Sequence, residues 1–142
     1  GLLRIANTIL GLINTHLTWD PPNTVPQAQI GLRQAHELVA ELQSCASAAR
    51  GWIVGGDFNV SPTSEIVARL RQAGFRYAHE ALSGVATCNV NGQARLIDYL
   101  FYSAALAGEP QLPAPIDDKT ILPSADQPSD HVAIAARFDW RD

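Results

Sequence analysis

Four short segments place chemically able residues in or beside stretches that are otherwise apolar. They are Asn14-Thr15-His16-Leu17, Gly55-Gly56-Asp57-Phe58-Asn59, Ile97-Asp98-Tyr99 and Ser129-Asp130-His131. A carboxylate in apolar surroundings is costly unless a cation, a histidine or a metal ion compensates it. Three aspartates so placed, with two histidines, fit the needs of phosphoester hydrolysis. That reaction wants a cation to neutralise phosphate and polarise an oxygen. It also wants a carboxylate to orient or deprotonate water, and neutral donors aimed at the developing charge. A histidine held by a carboxylate completes the set, because the partner fixes its tautomer and supports its charged form. Asp57, Asn59, an Asp98–His131 pair and Asp130 supply one candidate for each part.

Each residue also has a structural reading when taken alone. His16 at a strand end can be a hydrogen-bonded structural histidine, Asp57-x-Asn59 a turn with a helix cap, and Asp130-His131 a loop ion pair. Asp98 is the hardest to set aside, because a carboxylate inside an apolar strand has no cluster of backbone N–H groups to satisfy it.

The elements that must position these residues are legible from periodicity. Residues 9–17 read as a mostly buried strand. Three prolines make Thr18–Pro26 a loop, and from Pro26 to Ala49 the spacing turns helical. In that stretch Leu32, Ala35, Leu38, Val39, Leu42, Cys45 and Ala46 form one apolar stripe. Trp52–Gly56 is a short strand, and Ser61-Pro62 suggests the cap and first turn of a second helix that stops at Gly74. Val85–Val90 and Leu96–Ser103 flank Asn91-Gly92 as a hairpin. A proline-rich loop spans Glu109–Pro128, and His131–Phe138 reads as a final strand. Strand and helix alternate, which indicates layered α/β architecture with ligands at strand ends.

Composition bounds the rest. The chain has 142 residues, 46% hydrophobic and 17% charged, with a net charge of −4. One packed domain is expected at this length, and the acidic balance argues against sequence-blind clamping of nucleic acid. Cys45 and Cys88 are too few for a disulfide framework. No apolar run reaches the ~18 residues of a membrane span, and the opening stretch lacks the basic and small-residue marks of a signal peptide. With no signal visible, cytoplasmic is the default compartment.

In this order the four segments resemble the endonuclease/exonuclease/phosphatase superfamily, shared by pancreatic-type deoxyribonucleases and apurinic-site endonucleases. Asn14-Thr15-His16-Leu17-Thr18-Trp19-Asp20-Pro21, Leu96-Ile97-Asp98-Tyr99-Leu100-Phe101-Tyr102-Ser103 and Leu122-Pro123 … Pro128-Ser129-Asp130-His131 resemble the carbon-catabolite-repressor deadenylases, nocturnin and angel proteins within it. The resemblance implies a four-layer α/β sandwich with its site at the top of two packed sheets. It implies that His16 and Asn59 contact phosphate, that Asp57 positions or activates water, and that Asp98 partners His131 at the scissile phosphate. Asp130 would lie near a metal, Mg²⁺ with Mn²⁺ as the alternative. The substrate would be nucleic acid or a small phosphoester.

The family domain is about twice as long, and its first half carries an Asn and the Glu that is the principal metal ligand. Glu37, Glu41, Glu65, Glu80 and Glu109 are the only glutamates here, and none lies in such a segment. The expectation is therefore a partial domain over residues 1–142, the C-terminal half of the sandwich, whose partner would be the absent N-terminal half. Two other readings compete: a non-catalytic module that keeps the fold, and a binuclear phosphoesterase, which would need more His and Asp ligands than the chain shows. His36 and His79 are expected to be solvated, and Cys45 and Cys88 to be inert thiols, with approach of Cys88 to the site from its strand as the alternative. Trp19 and Trp52 are expected to pack, with stacking of Trp19 on a base beside His16 as the alternative. Asp117-Asp118 is expected to be a solvated loop pair.

Overall fold

The computed structural model describes residues 1–142. In chain order the elements are β1 (Leu2–Ile5), β2 (Thr8–His16), α1 (Ile30–Ser44), β3 (Gly51–Asp57), α2 (Glu65–Gln72), β4 (Phe75–Tyr77), β5 (Cys88–Val90), β6 (Gln93–Arg95), β7 (Asp98–Ser103), β8 (Leu106–Gln111) and β9 (Ala135–Trp140). The central sheet has the order β1-β2-β3-β7-β4. β2 and β3 run parallel, joined through α1, and the other pairings are antiparallel. No helix is long and apolar enough to cross a membrane.

Alternation divides the sheet into two faces. On one, Val54, Phe58, Tyr77, Tyr99 and Phe101 pack with Leu32, Ala35 and Leu42 of α1 and Ile66, Val67 and Leu70 of α2. The aromatic members meet edge to face, with centroids 5.1 Å apart for Phe58–Phe101 and Tyr77–Tyr99. Gly11 is needed beneath this layer, because a Cβ there would lie 2.2 Å from the Trp52 ring. On the other face Leu10, Tyr102 and Leu106 form a smaller cluster that the β8–β9 ribbon partly covers. Leu3, Ile5 and Leu12 on that face remain exposed.

The two helices match the predicted apolar stripes, with differences at their ends. α1 is flanked by 3₁₀ turns over Pro26–Ala28 and Ala46–Ala48. Its first amides are capped from a distance, Ile30 and Gly31 N–H donating to the two oxygens of Asp20 at 2.7 and 2.9 Å. α2 is capped by Ser64, whose Oγ accepts from Val67 N–H, and not by Ser61-Pro62. Asn91-Gly92 is a hairpin turn, but it joins β5 to β6. The chain then bends so that β7 pairs with β3, where its apolar residues can be buried on both faces. The expected loop from Glu109 contains the end of β8, with Pro110 paired to Ala136 on this two-stranded edge. The last strand begins at Ala135, so His131 precedes it and makes only an isolated bridge to Cys88. β1 and β4, too short for periodicity to reveal, complete the sheet edges.

Candidate active site

One rung of the sheet builds the site. In register His16 stands opposite Asp57, and Asp57 opposite Asp98, so β2, β3 and β7 present three polar side chains in a row. The row lies on the face away from the helices, at the carboxyl ends of the two parallel strands. Gly56 makes this possible: its φ is +141°, and a Cβ would fall 1.8 Å from the Thr15 carbonyl oxygen.

Around Asp57 the distances are short. Asn59 N–H donates to Asp57 Oδ1 at 2.8 Å, closing a tight turn in which Asn59 takes the left-handed conformation that asparagine tolerates. Asn59 Nδ2 donates to the Leu17 carbonyl at 2.9 Å and lies 3.3 Å from Asp57 Oδ2. His16 Nε2 approaches Asp57 Oδ2 at 3.3 Å, and His131 Nε2 at 3.9 Å. Burial raises the Asp57 pKa above the ordinary carboxylate value; the Asn59 N–H opposes this and the Asp98 charge adds to it. Excess negative charge is thus concentrated where a cation would relieve it.

His131 is held by Asp98. Its Nδ1 lies 2.9 Å from Asp98 Oδ2, which leaves Nε2 facing Asp57 and the opening. Burial works against the imidazolium, but the Asp98 hydrogen bond and the charges of Asp98, Asp57 and Asp130 outweigh it and raise its pKa. Exposure grades outward: the two carboxylate side chains are 14% accessible, His131 29% and His16 75%. The inner groups can orient and hold protons, while His16 stands at the mouth.

Thr87 is the residue that sequence reasoning missed. It is fully buried, and its hydroxyl donates to Asp98 Oδ2 at 2.6 Å. Thr87 Oγ1 in turn accepts from the Ile97 and Asp98 backbone amides at 3.2 and 3.1 Å. Asp98 therefore opens its strand with its charge supported from beneath. A threonine in a β-rich stretch carries no signal of its own, and only the register between Thr87 and Asp98 reveals it.

Asp130 sits beside this cluster, forming with Cys88 and His131 a second group whose ligand atoms lie within 4.8 Å of one another; Asp57, Asp98 and His131 form the first. The Asp130 carboxylate makes no hydrogen bond within the chain. All six predicted site residues are thus brought to one region. Oxygen donors with free lone pairs suit a hard divalent cation, which takes one or two carboxylates and completes its shell with water and phosphate oxygens.

Several other expectations need correction. His79 is buried, not solvated, and its Nε2 lies 3.0 Å from the Gln111 carbonyl, tying the end of β4 to β8. Trp19 is exposed and does not pack, whereas Trp52 does, with Nε1 donating to Ala46. Asp117 and Asp118 are exposed loop residues, as expected, and they fasten loops: Asp117 accepts from Lys119 N–H and Thr120 Oγ1, and Asp118 from Ala94 N–H. His36 is exposed, as expected.

A family profile described as the Endonuclease/Exonuclease/phosphatase family matches residues 3–131. Among solved structures, the human nocturnin catalytic domain with bound sulfate is similar at 23% identity and TM-score 0.69, covering 96% of this chain and 49% of that one. ANGEL2, a 2',3'-cyclic phosphatase, in complex with adenosine-2',3'-vanadate gives 19% and 0.74, covering 96% and 59%. The 3' phosphatase NExo from Neisseria, bound to product DNA hairpin, gives 16% and 0.69, covering 98% and 64%. The chain spans roughly half to two thirds of the length of these structures. No curated protein matches the sequence.

Proposed function

The chain belongs to the endonuclease/exonuclease/phosphatase family, and from that premise we propose that it is the C-terminal portion of a metal-dependent phosphoester hydrolase acting on nucleic acid or a small phosphoester. The observation that carries this reading is the single rung His16–Asp57–Asp98 with His131 closed over it. Asp57 positions or activates the attacking water, since its Oδ2 faces both histidines. His131 Nε2 holds the proton at the scissile phosphate, while Asp98 and Thr87 fix the ring through Nδ1. His16 reaches the phosphate from the mouth. Asn59 braces Asp57 through its backbone amide, and its side-chain amide contacts phosphate once it leaves the Leu17 carbonyl. Asp130, with the neighbouring carboxylates, would hold Mg²⁺, or Mn²⁺, which when bound neutralises phosphate and polarises its oxygens.

Metal-dependent cleavage of bis(p-nitrophenyl) phosphate by the protein of the complete reading frame tests this. Asp57→Ala and His131→Ala are each expected to lower turnover by about 10²–10⁴-fold, the usual worth of a positioned acid or base. Intact turnover in either variant would sink the reading.

One observation favours a second reading, a binding module that keeps the fold without catalysis: no glutamate stands among the ligand groups of the site. Calorimetry on the complete protein separates the two, because absence of Mg²⁺ binding would favour the module.

A further inference from the structure

Behind the phosphate-facing rung stands a thiol that the proposed hydrolysis does not use. Cys88 is fully buried, on β5, and pairs with His131 through an isolated antiparallel bridge. The flanking bonds are Asn89 N–H to the Asp130 carbonyl at 3.0 Å and Val132 N–H to the Thr87 carbonyl at 2.8 Å. That pattern makes Cys88 and His131 a non-hydrogen-bonded pair, the geometry in which facing side chains stand closest. The Asp130 carboxylate, free of hydrogen bonds, completes a group whose sulfur, nitrogen and oxygen atoms lie within 4.8 Å of one another.

We propose that Cys88, Asp130 and His131 form a site for a thiophilic divalent ion, Zn²⁺, whose occupation withdraws His131 and Asp130 from the phosphate-facing cluster and so inhibits the enzyme. The ligand set is one sulfur, one imidazole and one carboxylate, a combination that suits Zn²⁺ and that Mg²⁺ avoids. A bare thiolate is disfavoured here: burial, then the charges of Asp130 and Asp98, push the Cys88 pKa up to about 11. The same carboxylates favour a dication, which brings its own charge to the sulfur. On binding, the thiol proton leaves to solvent and a Zn–S bond replaces S–H, with no change of oxidation state. Hard and soft ions would then compete for Asp130, Mg²⁺ through oxygen alone and Zn²⁺ through the Cys88 sulfur and the His131 nitrogen as well. Only the inhibitory consequence rests on the proposed hydrolase function; the binding itself does not.

Titration of the protein of the complete reading frame with Co²⁺, as a spectroscopic substitute for Zn²⁺, tests the site without reference to turnover. A thiolate-to-cobalt charge-transfer band is expected in the unaltered chain and in Cys45→Ser, absent in Cys88→Ser, and abolished by added Zn²⁺. Asp130→Asn is expected to weaken Zn²⁺ binding by at least the ~10–100-fold seen when metal sites lose a supporting group. No band in the unaltered chain, or a band that follows Cys45, would overturn the proposal. If circular dichroism shows Cys88→Ser unfolded, an unchanged Zn²⁺ affinity in Asp130→Asn overturns it instead. Loss of phosphoesterase function elsewhere leaves these readings untouched, so the two proposals fail separately.

Discussion

The two faces of the central sheet are made from the same strands and differ in almost everything else. Towards the helices, Val54, Tyr99 and Phe101 are 1% exposed or less and lock into α1 and α2. Towards the other side, one residue along each strand, stand Ile53, Asp57, Asp98 and Leu100, with Leu3, Ile5 and Leu12 at 48%, 43% and 38% exposure. The first face fixes strand positions, and the second uses that fixity to hold charged groups at defined spacing. A rung such as His16–Asp57–Asp98 is accurate because its neighbours one residue away cannot move.

The largest effect should come from breaking the helix-facing side. Phe101 meets Phe58, Tyr77 and Tyr99, so Phe101→Ala leaves a cavity among aromatic rings. Denaturant unfolding should show a loss of about 3–5 kcal/mol. A loss under about 1 kcal/mol would mean that this face is not the structural one.

Thr87 tests the join between the faces and should come next. Thr87→Val keeps the shape and removes the oxygen that two amides and Asp98 share. Unpaired buried amides should cost about 1–3 kcal/mol, with Thr87→Ser restoring most of it. NMR titration should also show the His131 ring losing part of its raised pKa in Thr87→Val but not in Thr87→Ser. A stability loss with an unmoved His131 titration would make Thr87 structural only.

Legibility in the sequence followed the same division. The helix-facing side could be read from spacing, since Leu32, Ala35, Leu42, Ile66, Val67 and Leu70 recur with helical period. The site residues could be read because carboxylates and histidines are conspicuous in apolar stretches. What could not be read depends on pairing between distant segments. β7 joins β3 although Asn91-Gly92 points to a nearer partner, Thr87 lies under Asp98, and Asp20 caps α1 from ten residues away. His79 looked like any loop histidine until β8 supplied its carbonyl partner.

On the polar face, protonation should matter to stability. The folded chain favours the His131 imidazolium, so its folded pKa lies above 6.5. That contribution is complete below pH 6.5 and fades as pH climbs through the folded value. Asp57 acts in the same direction, because its raised pKa means that ionisation is disfavoured in the folded chain. Its contribution is present below pH 3.8 and is lost as pH rises through its folded value. Metal-free unfolding measured as a function of pH should therefore show stability declining on the alkaline side of 6.5. His131→Gln should flatten that decline, and an identical slope in both proteins would contradict the Asp98–His131 pairing.

The smallest effect should come from the bare part of the second face. Leu3 and Leu12 lie beyond the cover that β8 and β9 provide, so their removal from water on folding is partial. Leu3→Thr and Leu12→Thr keep strand preference while shedding apolar surface. Each should change stability by no more than about 0.5 kcal/mol, the usual range for surface positions. Exposed apolar residues along a sheet edge also promote self-association. Light scattering at rising concentration should therefore show less association in the double variant than in the unaltered chain. A loss comparable to that of Phe101→Ala would show that this face is already covered in solution, and the contrast between the two faces would disappear.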